Sequence, residues 1–125
     1  MKEYNKILIP LGVASVKDAS AAAICFLGIG GIGMSALARY FNSLGVKVSG
    51  YDKTETALTK QLSAEGINIH YEDNAALIDK AVQLVVYTPA IPNTHLELNF
   101  YRENNYAVVK RSDVLGAITH SSFNI

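Results

Sequence analysis

Four glycines crowd into six positions of Gly28-Ile29-Gly30-Gly31-Ile32-Gly33, followed by Met34 and Ser35. No other stretch restricts the fold as strongly. Upstream, Ile24-Cys25-Phe26-Leu27 is a short apolar run that reads as a buried strand. Downstream, Met34, Leu37, Ala38 and Phe41 fall at i, i+3, i+4 and i+7, one face of a helix that Gly45 ends. A strand, a glycine turn and a helix in that order place free helical amides at the turn. So many glycines cost backbone entropy unless close approach to the chain is needed. Gly28 permits the tight turn, Gly30 and Gly31 clear side chains from the path of a phosphate, and Gly33 lets the helix pack closely. The reading is a diphosphate-sized anion at a helix N-terminus, with the nucleotide left open. Ser35 offers a hydroxyl donor or else faces solvent.

Further strands and helices alternate after this unit. Val46–Tyr51 is the second strand, 55–65 a helix closed by Gly66, and Ile67–His70 the third strand. A short helix is expected around Ala75–Ile78, and Val82–Tyr87 reads as a strand covered on both sheet faces. Thr94 and Glu97 have capping-box spacing and are expected to open a helix to about Asn104. Ala107–Val109 is a fifth strand and Arg111–Ile118 a last helix. Such alternation specifies a mostly parallel sheet with right-handed crossovers and helices on both faces. The expected fold is therefore α/β, a Rossmann-like three-layer sandwich around a five-stranded, mostly parallel sheet. Residues 24–125 form this domain, and 1–23 are a leader of uncertain structure, in which Ile7-Leu8-Ile9 reads as a short strand stopped by Pro10.

Composition narrows the function. The 125 residues make one domain, and half of them are hydrophobic, enough for a core without disulfide or metal. Lysine plus arginine number 11, as do aspartate plus glutamate, which argues against a nucleic-acid partner. No apolar run approaches a bilayer span, and the first residues do not read as a signal peptide. Cys25 is the single cysteine, so neither an internal disulfide nor a cysteine metal cluster is available. His70, His95 and His120 have no metal-ligand spacing with it. Neither a nucleophile elbow nor a Gly-x-x-x-x-Gly-Lys-Ser/Thr loop is present.

Three further sites lie at carboxyl ends of strands, where open α/β sheets bind ligands. Asp52 follows the second strand, about 20 residues after Gly33, and would accept ribose hydroxyls or cap the next helix. Its neighbour Lys53 reads as a surface charge. Thr88-Pro89-Ala90-Ile91-Pro92 follows the fourth strand, its prolines stiffening a loop over the same crevice. Arg111 follows the fifth strand and would reach a phosphate or carboxylate, or simply face solvent.

Phe26-Leu27-Gly28-Ile29-Gly30-Gly31-Ile32-Gly33-Met34-Ser35-Ala36-Leu37-Ala38 resembles the opening loop of the Mur ligases, in particular the branch that joins L-alanine to UDP-N-acetylmuramate. Val48–Asp52, Val86–Pro92 and Val109–Leu115 follow in that family's order and spacing. The resemblance spans about residues 24–125. It implies the first of three domains, with UDP-N-acetylmuramate as the bound partner. It further implies that ATP and Mg2+ serve a central ATPase domain, and that a C-terminal domain helps bind the amino acid. In the family, ATP phosphorylates the muramoyl carboxylate and the amine of alanine attacks the acyl phosphate. The resemblance places Gly30, Gly31, Ile32, Gly33, Met34 and Ser35 around the diphosphate. It places Asp52 near the uracil and ribose, and Thr88, Ala90 and Ile91 near the diphosphate and sugar. Arg111 would lie near the crevice or the domain junction. None of these is a catalytic residue, so the chain by itself is expected to be inactive, the excised first domain of a cytoplasmic enzyme of peptidoglycan synthesis. Ser122-Phe123-Asn124-Ile125 resembles the run into the next domain. Glu72 and Asp73 depart from the family pattern, and two carboxylates beside a diphosphate would repel it. Pro89 replaces a small residue and removes a donor. The residues alone also suit an NAD- or flavin-nucleotide-binding oxidoreductase domain, or a non-enzymatic nucleotide sensor.

Overall fold

The computed structural model describes residues 3–13 and 18–123. Its elements are α1 (Glu3–Leu8), β1 (Ala23–Leu27), α2 (Ile32–Ser43), β2 (Lys47–Tyr51), α3 (Ala57–Ala64), β3 (Asn68–His70), β4 (Leu84–Tyr87), α4 (Leu96–Glu103), β5 (Ala107–Lys110) and α5 (Arg111–Phe123). Short 3-10 turns cover Ile9–Leu11, Ala19–Ala21 and Ala75–Leu77.

The strands form one sheet in the order β3-β2-β1-β4-β5, and every pairing is parallel. The mostly parallel sheet expected from the alternation is thus wholly parallel. Strand order runs outward from β1 to β3 on one side and from β4 to β5 on the other. It reverses between β1 and β4, which creates a crevice above their carboxyl ends.

Alternation along the strands feeds two cores. Ile24, Phe26, Val48, Leu84 and Val86 face one layer with Met34, Leu37, Ala38 and Phe41 of α2, Leu62 of α3 and Val114 of α5. Cys25, Leu27, Tyr51 and Val85 face the other, with Leu98 and Tyr101 of α4. Phe26 is completely buried, which is worth about 1.5–3 kcal/mol relative to exposure.

Three local expectations are corrected. Ile7-Leu8-Ile9 is not a strand: α1 ends at Leu8 and Ile9 begins a 3-10 turn. Tyr4, Ile7 and Leu8 lie at i, i+3 and i+4, so a helix buries all three at once, and α1 packs against α5. Thr94 and Glu97 do not form a capping box. His95 is the N-cap of α4, and Glu97 turns inward. The last helix continues past Ile118 to Phe123. Residues 1–2 and 14–17 of the expected leader, and Asn124 and Ile125 of the expected domain exit, lie outside the described residues.

Candidate functional site

Gly28 turns the chain off β1 at a φ of 92°, a left-handed conformation that L side chains rarely adopt. The amides of Gly28 and Ile29 both donate to the carbonyl of Tyr51, at 2.8 and 3.0 Å, and tie the loop to the end of β2. Ile29 is completely buried. It fits because Gly50 has no side chain: a Cβ there would lie 2.7 Å from both Ile29 Cδ1 and the Phe26 carbonyl oxygen.

Asp52 does not cap the following helix. Thr56 does so, accepting the Thr59 amide. Asp52 instead accepts the Gly30 amide at 2.7 Å through Oδ2 and the Thr54 amide at 3.0 Å through Oδ1. One of the loop amides expected to meet an anion is therefore already held by a carboxylate. The donors left at the turn are the first-turn amides of α2. Gly31 is its N-cap and makes no side-chain cap, so the amides of Ile32, Gly33 and Met34 emerge uncapped. Ile32 is 86% exposed at this end.

The Met34 and Ser35 side chains are both buried, and the Ser35 amide donates to the Gly31 carbonyl at 2.8 Å. Ser35 is neither a ligand donor nor a surface group. Its hydroxyl donates to the Ile32 carbonyl at 2.9 Å, the usual back-bond of a helical serine.

Arg111, at the start of α5, comes to the same place. A Cβ on Gly33 would collide with its guanidinium. Among the described residues no carboxylate lies within salt-bridge distance of it. A guanidinium without a carboxylate partner among the described residues thus stands beside an uncapped helix N-terminus, two positive features side by side.

The loop after β4 forms the opposite wall. The Ile91 amide donates to the Thr88 carbonyl at 3.0 Å, closing a turn with Pro89 at its second position. A Cβ on Gly28 would sit 3.4 Å from Thr88 Oγ1 and 3.6 Å from Ile91 Cδ1, so this turn touches the glycine loop. A cleft of ≈ 560 Å³ opens beside it, lined by Gly28, Tyr51, Asp52, Ala90, Ile91, Pro92 and His95 among others. Ala90 and Ile91 line the cleft, whereas Gly33, Met34, Ser35 and Arg111 lie outside it, at the helix end.

Asp73, flagged in the sequence as a source of repulsion, has a structural task. It accepts the Leu96 amide at 2.8 Å and the Glu97 amide at 3.0 Å, capping α4 from a distant loop. Glu72 is exposed. Glu97, fully buried, meets His70 Nε2 with both carboxylate oxygens at 2.8 Å. Tyr51 lies between the rings of His70 and His95, at centroid separations of 5.7 and 4.7 Å. Burial pushes the Tyr51 phenol above its ordinary range, and Asp73, Glu97 and Asp52 push it the same way. Asp52 and Asp73 line the cleft together with Lys53. Tyr51, Asp73, His95 and Glu97 were not identified as site residues in the sequence.

Burial, chiefly, pushes the Cys25 thiol up to about 12, so it is no nucleophile. Among the described residues no three His, Cys, Asp or Glu side chains gather as a metal site, and no helix is long and apolar enough to cross a membrane.

Comparison with known proteins agrees with the loop and its setting. Residues 23–122 match the family model described as Mur ligase family, catalytic domain. A UDP-N-acetylmuramate–L-alanine ligase of Parabacteroides distasonis is 55% identical over 105 residues, covering 80% of this chain and 23% of that protein. One from Cytophaga hutchinsonii is 56% identical over 102 residues, covering 78% and 22%. Among solved structures, the UDP-N-acetylmuramate-alanine ligase of Thermotoga maritima superposes with a TM-score of 0.69 at 36% identity. That match covers 72% of this chain and 21% of that one. The chain therefore spans less than a quarter of the length of the curated relatives it matches. Matched over most of its length by the family model, with the glycine loop, Asp52, the Thr88 turn and Arg111 all within the matched residues, the chain belongs to the Mur ligase family.

Proposed function

We propose that this chain is the N-terminal substrate domain of a UDP-N-acetylmuramate–L-alanine ligase, an ATP-dependent enzyme of peptidoglycan synthesis in the cytoplasm. It holds UDP-N-acetylmuramate and performs no covalent step. The observation that carries the reading is the uncapped N-terminus of α2 with the Arg111 guanidinium beside it, which has no carboxylate partner among the described residues. That pair suits a diphosphate, whose oxygens would accept from the amides of Ile32, Gly33 and Met34 and from Arg111. Gly30 and Gly31 keep the approach clear of side chains. Asp52, at the mouth of the adjoining cleft, has lone pairs left for ribose hydroxyls. Thr88, Ala90 and Ile91 form the wall toward the sugar. ATP and Mg2+ belong, on this reading, to the central ATPase domain, and alanine to the central and C-terminal domains, so the chain alone turns nothing over.

Calorimetric titration with UDP-N-acetylmuramate, run in parallel with NAD, tests the proposal. Saturable heat with the UDP-sugar and none with NAD is expected. Heat with NAD alone would transfer the site to oxidoreductase chemistry, and a folded sample that ignores both would refute a site built on this chain.

A further inference from the structure

Resting on the proposed diphosphate site, we infer that residues 3–13 are a brace that holds Arg111 in position there. These residues lie outside the 23–122 that match the family model. They are nonetheless built into the fold. Tyr4, Ile7, Leu8 and Val13 are at most 5% exposed and belong to the same core cluster as Phe26, Leu84 and Val86. The Tyr4 hydroxyl is buried without a hydrogen-bond partner, so packing of the ring, not a polar bond, seats that side chain. α1 has six residues, too few for a helix that persists in water without docking. Its order is therefore tied to what it packs on, and α1 packs on α5.

The unit that carries Arg111 needs such support. β5 stands at the edge of the sheet and pairs with β4 alone. Its Ala107, Val108 and Val109 are only half-buried. α5 follows β5 without a linker, and Arg111 is its first residue. A side chain at the start of such a unit is placed only as well as the unit itself is fixed. Residues 3–13 fix it at two levels. Gly12, turned at a φ of 95°, lies against the start of β5: a Cβ on it would sit 3.8 Å from Ala107 Cβ. Tyr4, Ile7 and Leu8 share a core cluster with Val114, which is fully buried and lies one turn beyond Arg111. The brace thus holds α5 so that the guanidinium meets the first turn of α2 at Gly33. A donor fixed before the anion arrives loses less freedom on binding. Residues 3–13 act through Arg111 as a positioning element.

The test is a double-substitution cycle on the whole chain, read by calorimetric titration with UDP-N-acetylmuramate, together with amide hydrogen exchange. Ile7→Ala loosens the brace and should lower affinity about tenfold. Arg111→Ala should lower it further. The double variant should bind as weakly as Arg111→Ala and no more weakly, because the first change acts only through Arg111. Losses that add overturn the inference, as does an Ile7→Ala chain that binds like wild type; residues 3–13 are then ordinary core. Exchange in the wild type needs neither ligand nor variant. The hydrogen-bonded amides of α1 and those of α5 from its second turn should open together, with less protection than β1 and β4. An α1 that opens while α5 keeps the protection of the central strands also overturns the inference. Failure of folded wild type to bind UDP-N-acetylmuramate refutes the proposed function separately, and the exchange pattern still decides whether α1 braces α5.

Discussion

Gly33→Ala separates the stability of the domain from its capacity to hold an anion. Gly33 lies in the first turn of α2, and its φ is not in the left-handed region, so alanine fits its backbone conformation. The nearest atoms a methyl group there meets are Nη1, Cζ and Cδ of Arg111, a flexible side chain without a carboxylate partner among the described residues. Arg111 can swing away at little expense. Alanine also gains helix propensity over glycine, at most about 1 kcal/mol and less so near an end. Folding stability should therefore stay level or rise slightly. Binding should move the other way, because the displaced guanidinium no longer faces the amides of Ile32, Gly33 and Met34. A charge-assisted hydrogen bond is worth about 1.5–3 kcal/mol, so affinity for UDP-N-acetylmuramate should fall roughly 10- to 150-fold. Thermal unfolding and calorimetric titration of the same sample measure both quantities. Unchanged affinity would refute the anion site at α2. A loss of stability above about 2 kcal/mol would show that Arg111 is locked in place and that the clash is not relieved by rotation.

Three other substitutions and conditions give separate checks. Gly50→Ala drives a Cβ to within 2.7 Å of the Phe26 carbonyl, an atom that cannot rotate away, and should destabilise by about 1–3 kcal/mol in denaturant titration. Asp52→Asn keeps an acceptor for only one of the two amides at Gly30 and Thr54 and turns its NH2 toward the other. About 1–3 kcal/mol of stability should be lost, with weaker binding of uridine but little change for pyrophosphate. The Cys25 thiol, pushed up to about 12 by burial, stays protonated in the folded chain after the unfolded thiol has ionised. The stabilisation is complete below about pH 8.5 and is lost as pH rises toward about 12, with a limiting slope of about 1.4 kcal/mol per pH unit. Comparison of urea midpoints for wild type and Cys25→Ala across that range checks the sign, and native chain at pH 8 should resist thiol reagents.

Sequence patterns predicted what depends on neighbours along the chain. The β1 apolar run, the helical face of Met34, Leu37, Ala38 and Phe41, and the turn at Gly28 are local, and each has the expected form. What escaped was set across the fold. Thr94 and Glu97 have the spacing of a cap, yet His95 is the N-cap, Asp73 from another loop accepts the Leu96 and Glu97 amides, and Glu97 is drawn inside by His70. No window around residue 95 contains that information. Ile7-Leu8-Ile9 is too short for periodicity to separate strand from helix, and packing against α5 decided it. Asp52 was identified as part of the site, but its bond to Gly30 depends on the register of β1 with β2. Nothing next to Gly50 in the sequence announces that Ile29 packs over it.

The sheet order carries a consequence for how such a chain is made. β1 is flanked by β2 on one side and by β4 on the other, with Ile24 opposite Leu84. During synthesis the glycine loop, β2 and Asp52 leave the ribosome well before β4, so the loop is born with one wall. The Thr88 turn that touches Gly28, and the cleft beside it, cannot exist until the later half of the chain has emerged and docked. Half of the central strand's hydrogen-bonding edge stays open for that interval, an unprotected template for wrong pairing. On the proposed reading a nucleotide would arrive too late to help: it would recognise the finished sheet without guiding its assembly.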